Sequence, residues 1–121
     1  MSLIEFIKPD FEFKDDRGEL TQLFRDGWSQ VNYITSEAGA LRGGHYHKNN
    51  VEMFYIISGK IRLKLNTLDN STIEEHTLVA GDMFKIKANI SHSFEFLTSC
   101  QLISAYDRGV ESDEGMDIHQ G

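Results

Sequence analysis

The residues best suited to chemistry in this sequence are a histidine pair and a glutamate close behind it. His45 and His47 are separated by one residue, so on an extended chain both imidazoles point to the same side, with their Cα atoms ~6.6 Å apart. Glu52 has the opposite parity, but a turn through 48–50 would reset the alternation. Glu52 would then share the inward side with Phe54, and a buried carboxylate requires a cation or a metal as its partner.

A third histidine, His92, lies in a later run in which it shares one face with Phe94 and Phe96. Three imidazoles and one carboxylate form a mixed nitrogen and oxygen donor set that suits Zn, Fe, Mn, Ni or Cu, with one or two positions open for water or substrate. The alternative is that each residue is ordinary: a polar loop for the histidine pair, an exposed strand start for Glu52 and a hydrogen-bonded core histidine at position 92.

The elements that must position these residues are predicted to be strands. One proline and ten glycines accompany many short apolar runs with polar residues between them, which is typical of an antiparallel sheet protein with Gly, Asn and Asp in its turns. Alternating apolar and polar residues, or short apolar runs, predict strands at 31–35, 53–57, 61–65, 83–87, 91–96 and 101–105. The sequence therefore predicts an all-β sandwich or barrel.

The length of 121 residues predicts a single domain over 1–121, because a chain of this size buries roughly two-thirds of its unfolded surface around one core. We expect a barrel at about 29–106 and N-terminal strands within 4–24. An acidic C-terminal tail at 107–121 lacks a core-facing pattern, and we expect it to lie on the surface or fray.

Composition limits the partners. Twelve Lys and Arg stand against nineteen Asp and Glu, for a net charge of −7, which argues against nucleic acid. The single cysteine, Cys100, cannot form an internal disulfide, and the sequence has neither a cationic apolar leader nor a run of ~20 apolar residues. We therefore expect a cytoplasmic protein without a membrane partner. The run 53–57 is apolar on both faces, so one face should meet a second sheet and the other a subunit or an N-terminal strand; we expect a homodimer.

The spacing of the site residues carries a family resemblance. Gly39, His45, His47, Glu52 and Gly59 resemble the first motif of the cupin superfamily at every fixed position. Gly81 and His92 match the second motif in spacing, although Lys87, Asn89 and Phe96 stand where the family usually has Pro, Gly and Asn. The resemblance implies a jelly-roll β-barrel of the RmlC-like kind with the site inside. It also implies that His45, His47, Glu52 and His92 are ligands of one divalent transition metal.

Two longer segments limit the resemblance to one group of cupins. The segment FKDDRGELTQL at 13–23 and the stretch that contains RGGHYHKNNVEMFYIISG look like cupins of nucleotide-sugar and surface-polysaccharide biosynthesis. These are the dTDP-4-keto-6-deoxyhexose 3,4-ketoisomerases and the C-terminal cupin domain of capsular polysaccharide-synthesising reductases. The resemblance implies an isomerase or epimerase that acts on a nucleotide-activated 4-keto-6-deoxy sugar. The ketoisomerases imply a histidine pair that transfers protons without a metal, whereas the capsular cupin implies a metal site, which the spacing of Glu52 favours.

The two interpretations assign different roles. Without a metal, His45 and His47 transfer protons, Arg42 contacts the diphosphate or the enolate, and Tyr33 is a candidate phenolic acid. With a metal, the ion polarises the carbonyl while Tyr33, Tyr106 or a bound water handles protons. In either case the cations expected to contact the substrate are Arg17, Arg42 and Lys48.

Two further functions remain open because the jelly roll supports several kinds of chemistry. A cupin dioxygenase would use iron in the same ligand set to bind O₂. A non-catalytic cupin would bind a small ligand or sense it. The three cations favour an anionic substrate and hence the sugar-nucleotide enzyme.

Overall fold

The structure is a computed structural model that describes residues 2–112 and 115–121; Met1 of the predicted domain and Asp113 and Glu114 of the predicted tail lie outside the described residues. All the regular elements in this part of the chain are strands, which confirms the predicted all-β class. They are β1 (Ile4–Phe6), β2 (Phe11–Asp15), β3 (Gly18–Gln22), β4 (Gln30–Ser36), β5 (Leu41–Tyr46), β6 (Glu52–Ser58), β7 (Lys60–Thr67), β8 (Ile73–Val79), β9 (Met83–Ile86), β10 (Ile90–Phe96), β11 (Cys100–Tyr106), β12 (Glu111–Ser112), β13 (Gly115–Met116) and β14 (His119–Gln120).

Two antiparallel five-stranded sheets form the body of the molecule. Their strand orders are β1-β9-β6-β11-β4 and β14-β5-β10-β7-β8, while the pairs β2-β3 and β12-β13 stand apart as short hairpins. Both sheets turn one apolar face inward, so the core contains Phe54 and Phe84 from the first sheet and Leu63, Phe94 and Phe96 from the second. Among the described residues there is no helix long and apolar enough to cross a membrane.

Strand alternation accounts for which side chains enter the core. On β7, Ile61, Leu63 and Leu65 are fully buried, whereas Arg62 and Lys64 between them face solvent. The inward residues of a strand recur every second position. The same rule directs the side chains of β10 that lie beside the candidate site.

The outer face of β6 is covered by the N-terminal part of the same chain. Met53 is completely buried with Met83 and Ala105 in a second apolar cluster, away from the main core. The residues packed on this cluster include Ile7, Leu23, Phe24 and Trp28. The N-terminal region of the same chain thus covers the outer face of β6, for which either a subunit or an N-terminal strand was expected. The homodimer and the cytoplasmic location stay predictions.

The turn between β7 and β8 provides a pH-dependent prediction. The carboxylate of Asp69 accepts hydrogen bonds from the backbone N–H of Ser71 at 3.0 Å and from the Thr67 hydroxyl at 2.8 Å. These donors, the Ser71 contact first, lower the pKa of Asp69 from 3.8 to about 2. Because the folded-state pKa is depressed, the stability from this turn is present above pH ~4 and is lost as the pH falls through about 2. Carboxyl NMR titration should give a midpoint near 2, and Thr67→Val should raise it; a midpoint of 3.8 in both proteins would contradict the assignment.

Candidate functional site

A glycine pair in β5 aligns the first histidine with the third. His45 lies opposite His92 and Gly43 opposite Ser93, with a β-bulge between the two pairs. Gly43 and Gly44 have φ angles of 111° and 69°, a region that favours glycine. A Cβ on Gly43 would lie 2.5 Å from the carbonyl oxygen of His92. The glycines therefore permit the close backbone approach that brings His45 and His92 together.

Four side chains converge between the two sheets. The Nε2 atoms of His45 and His92 are 3.1 Å apart, and Nε2 of His47 lies 3.0 Å from Oε1 of Glu52. The same carboxylate oxygen is 3.5 Å from Nε2 of His92. His47, Glu52 and His92 are almost completely buried, whereas His45 is partly exposed. The structure thus brings together all four predicted metal ligands.

Backbone carbonyls hold two of the imidazoles from behind. Nδ1 of His47 donates to the carbonyl oxygen of Asp117 at 2.6 Å, and Nδ1 of His92 faces the carbonyl oxygen of Ile90 at 3.5 Å. A carbonyl can only accept, so Nδ1 carries the proton and Nε2 faces the site. Ligand atoms of the three histidines lie within 4.8 Å of one another. Converging nitrogen lone pairs and a carboxylate repel each other unless protons or a metal ion lie among them, and three imidazoles with one carboxylate are a donor set that fits a divalent metal.

Burial keeps His92 neutral. Phe54 and Phe94 both pack edge-on against its ring, with centroid distances of 6.2 and 5.9 Å. Burial, followed by the neighbouring His45 and His47, lowers the pKa of His92 to about 3. Burial also lowers the pKa of His45, and the nearby His47 adds to that effect. Neutral imidazoles are the form that binds a metal.

His47 and Glu52 form the polar pair of the site. Burial opposes the charged form of His47, but its hydrogen bonds to Glu52 and to the backbone of Asp117 outweigh this effect and raise its pKa. Burial raises the pKa of Glu52, although hydrogen bonds from His47, Tyr106 and Ser104 oppose the change. The pair can thus hold one proton in the absence of a metal.

Two residues of β11 complete the surroundings of Glu52. Tyr106 and Ser104 lie beside its carboxylate, where their hydroxyls lower its pKa, and the Tyr106 ring packs edge-on against His47 with a centroid distance of 5.0 Å. Burial and then Glu52 raise the pKa of Tyr106, so the phenol stays protonated. Tyr106 was a sequence candidate for proton handling. Ser104 was missed, although its inward parity with Leu102 and Tyr106 on β11 was a usable signal.

Tyr33 lies away from these residues. Its side chain is 63% exposed on β4, on the same outward face as Val31 and Thr35. The inward neighbour, Asn32, instead hydrogen-bonds to Ser104 at 3.3 Å. The structure therefore does not bring the phenol of Tyr33 to the histidines.

The cations expected to contact a substrate are dispersed. Arg17 lies in the turn of the β2-β3 hairpin, where its side chain is 83% exposed and pairs with Asp15 at 2.6 Å. Nε of Arg42, on β5, donates to the Ser36 hydroxyl at the end of β4 at 2.8 Å. Lys48 is exposed and directly follows the second histidine of the pair. Of the three cations, only Lys48 adjoins a ligand residue in the chain and lies in the turn between two of them.

The acidic tail carries a residue that sequence reasoning missed. The backbone N–H groups of Lys48 and Asn49 donate to the Asp117 carboxylate, each at 2.8 Å. Strand β14 then pairs with β5, which places Gln120 opposite His45. The described residues of the tail therefore pair with the second sheet and contact the site, a role that the expectation of a surface or frayed tail did not include. No signal in the sequence distinguished Asp117 from the other acidic residues of the tail.

The two-sheet fold, with its histidines and glutamate between the sheets, is the jelly-roll fold of RmlC-like cupins. The chain belongs to the family described as the polysaccharide biosynthesis C-terminal domain, which matches residues 13–105. A UDP-2-acetamido-2,6-beta-L-arabino-hexul-4-ose reductase from Pseudomonas aeruginosa is 34% identical over 55 residues, which are 45% of this chain and 15% of the reductase.

Solved structures agree on the fold. The QdtA 3,4-ketoisomerase from Thermoanaerobacterium thermosaccharolyticum, a double mutant in complex with TDP, has a TM-score of 0.81 at 19% identity, over 100% of this chain and 89% of that one. The capsular polysaccharide assembling protein CapF from Staphylococcus aureus has a TM-score of 0.69 at 23% identity, over 90% of this chain and 31% of that one. RmlC from Legionella pneumophila, a dTDP-6-deoxy-D-glucose-3,5-epimerase in complex with dTDP-4-keto-L-rhamnose, has a TM-score of 0.73 at 20% identity, over 88% and 68% of the two chains. This chain thus spans about a third of CapF and a small part of the reductase.

Proposed function

We propose that this protein binds a divalent transition metal and acts as an isomerase or epimerase on a nucleotide-activated 4-keto-6-deoxy sugar in surface polysaccharide biosynthesis. The observation that carries the proposal is the convergence of three histidine Nε2 atoms and the Glu52 carboxylate in one buried cluster. The family and the names of the relatives support the substrate class, since they include enzymes of UDP-linked and dTDP-linked keto sugars.

The chemistry of such a sugar explains the need for a polarised site. The C–H bonds beside the 4-keto group are acidic, so isomerisation or epimerisation needs a base and an electrophile that holds the enolate oxygen. When bound, a divalent metal would supply that electrophile. His45, His47, Glu52 and His92 would hold the ion.

If the ion is bound, protons must be transferred by groups whose donor atoms do not bind it. A histidine whose Nε2 faces a metal cannot also use that atom as a base. The phenol of Tyr106, which packs against His47 and lowers the pKa of Glu52, can exchange a proton with the site, as can the hydroxyl of Ser104. The rings of Phe54 and Phe94 pack around His92 and make the inner side of the cluster apolar.

The diphosphate of the substrate would be neutralised by a small number of local cations. We assign this role first to Lys48, because it directly follows His47 and is exposed. Arg42 and Arg17 are the further candidates. Arg42 already donates to Ser36, and it would contact an anion only through the remaining N–H groups of its guanidinium.

The test is proton exchange at C3 of the sugar. We expect metal-quantified protein, incubated in D₂O with a dTDP- or UDP-4-keto-6-deoxyhexose, to introduce deuterium at C3, observed by NMR. His92→Gln should lose the exchange. His76→Gln should retain it, because His76 lies on β8 and pairs with Glu74 at 3.1 Å, outside the cluster.

Other outcomes discriminate between the functions. No exchange with any such substrate, at full metal content, would overturn the isomerase and epimerase activity. Iron near unit stoichiometry with oxygen uptake on a small organic acid would instead indicate a dioxygenase. Metal binding without either reaction would indicate a cupin that binds a small ligand without catalysis.

A further inference from the structure

We propose that Asp117, in the C-terminal segment, is a positioning residue that holds His47 in the orientation required of a metal ligand. The proposal rests on the metal site of the proposed function. It gives the C-terminal segment a role at the site, although none of the four proposed metal ligands lies in that segment.

The side chain of Asp117 organises the turn between β5 and β6. Oδ1 accepts the backbone N–H of Lys48, and Oδ2 accepts the backbone N–H of Asn49 and the side-chain amide of Asn50, each at 2.8 Å. Three donors from consecutive residues thus converge on one carboxylate. This turn is the segment that resets the strand parity, so it directs His47 on one side and Glu52 on the other.

The backbone of the same residue contacts the imidazole itself. The carbonyl oxygen of Asp117 accepts Nδ1–H of His47 at 2.6 Å, and its N–H donates to the carbonyl of Val110 at 2.7 Å. Metal-ligating histidines usually donate their second ring nitrogen to such an oxygen, which sets both the tautomer and the ring angle. Asp117 therefore holds the turn with its side chain and the ring with its main chain.

Neighbouring contacts keep the segment in place. His119 lies 3.0 Å from Oδ1 of Asp117 through its Nε2 atom and packs on Tyr46 with a ring-centroid distance of 5.3 Å. The side chain of Asp117 is only 9% exposed. Burial opposes its charge, but the hydrogen bonds from Asn50, Lys48 and Asn49 outweigh this and hold its pKa well below the usual range. Asp117 is thus a charged acceptor at neutral pH.

The experiment uses the full chain and has two measurements. The first is the affinity for Zn²⁺ and Ni²⁺ by titration calorimetry, for which Asp117→Ala should cost about 10-fold or more, the range found for outer contacts of metal ligands. The second is ¹⁵N NMR of the histidine rings in metal-free protein. In the wild type, Nδ1 of His47 should be protonated throughout, whether or not Nε2 also shares a proton with Glu52. In Asp117→Ala, Nδ1 should be protonated in only part of the molecules.

Two further variants separate positioning from general destabilisation. Asp117→Asn keeps the size and one acceptor oxygen, so it should fold and show an intermediate loss of affinity. Glu111→Gln removes one negative charge from an exposed position in the same tail and should change neither measurement.

The outcomes also separate this proposal from the metal site itself. Unchanged protonation of His47 Nδ1 and unchanged affinity in folded Asp117→Ala would overturn the positioning role of the Asp117 side chain while the metal site stands. Wild-type protein that binds neither metal would overturn the metal site. In that case the protonation of His47 Nδ1 in Asp117→Ala still shows whether the Asp117 side chain orients the His47 ring.

Discussion

Replacement of His92 by glutamine is expected to abolish stoichiometric binding of a divalent metal. Nε2 of His92 lies 3.1 Å from Nε2 of His45 and 3.5 Å from the Glu52 carboxylate, so it contacts two other members of the cluster. Loss of a direct ligand should weaken binding by more than the about 10–100-fold that loss of an outer contact causes. The measurements are metal content after purification and titration calorimetry with Zn²⁺, Mn²⁺ and Ni²⁺.

The matched control is His76→Gln, which makes the same chemical change on β8, where the histidine pairs with the neighbouring Glu74 and packs against the Phe6 ring. It should bind metal as the wild type does. Glu52→Gln should resemble His92→Gln, because it removes the only carboxylate among the four converging side chains. Equal metal affinity in wild type and in both site variants would show that the four residues are not the ligands.

Strand parity made much of this site predictable. His92, Phe94 and Phe96 share one face of a strand, so an inward histidine followed from the sequence alone. Glu52 followed from the same rule once a turn at 48–50 was assumed. Both are local arguments, in which the face of a side chain depends only on its own strand and the turn beside it.

The parts that could not be predicted depend on contacts between distant segments. Asp117 meets Lys48 across 69 positions of the chain, and nothing in the tail composition distinguishes it. Tyr33 was chosen for its chemistry, but the pairing of β4 with β11 puts Asn32 on the inward side opposite Ser104. The type of a residue indicates which role its side chain could have, but the register of the sheet determines whether that side chain reaches the site.

The hydrogen bonds behind the imidazoles also bear on whether a metal is present. In a metal-free enzyme, His45 and His47 would need Nε2 atoms that exchange protons with substrate. The Nε2 atom of His47 instead lies 3.0 Å from Glu52, and its Nδ1 atom is held by the backbone. The two nitrogen atoms 3.1 Å apart on His45 and His92 need a proton or a metal between them. A shared proton satisfies these contacts in the metal-free interpretation and a bound ion satisfies them in the other, so the metal content of the purified protein decides between the two.

The second large effect is expected from Gly43→Ala, which should destabilise the fold by more than ~2 kcal/mol and also weaken metal binding. A residue other than glycine at a φ of 111° is strained by roughly 1–3 kcal/mol. The new Cβ would in addition lie 2.5 Å from the carbonyl oxygen of His92 and 2.9 Å from Cα of Ser93. Backbone atoms cannot turn aside as a flexible side chain can, so β5 and β10 must separate at the point where His45 faces His92.

Gly81→Ala is the control that separates backbone strain from the contact between the new Cβ and the backbone of β10. Gly81 has a similar φ of 92°, but nothing lies within 4 Å of the position that its Cβ would take. Gly81→Ala should therefore show backbone strain alone, with unchanged metal affinity, in denaturant unfolding and calorimetry. Gly43→Ala should lose more stability than this control and should lose metal affinity as well. Equal losses of stability, with metal binding intact in both variants, would mean that the bulge does not set the distance between the histidines.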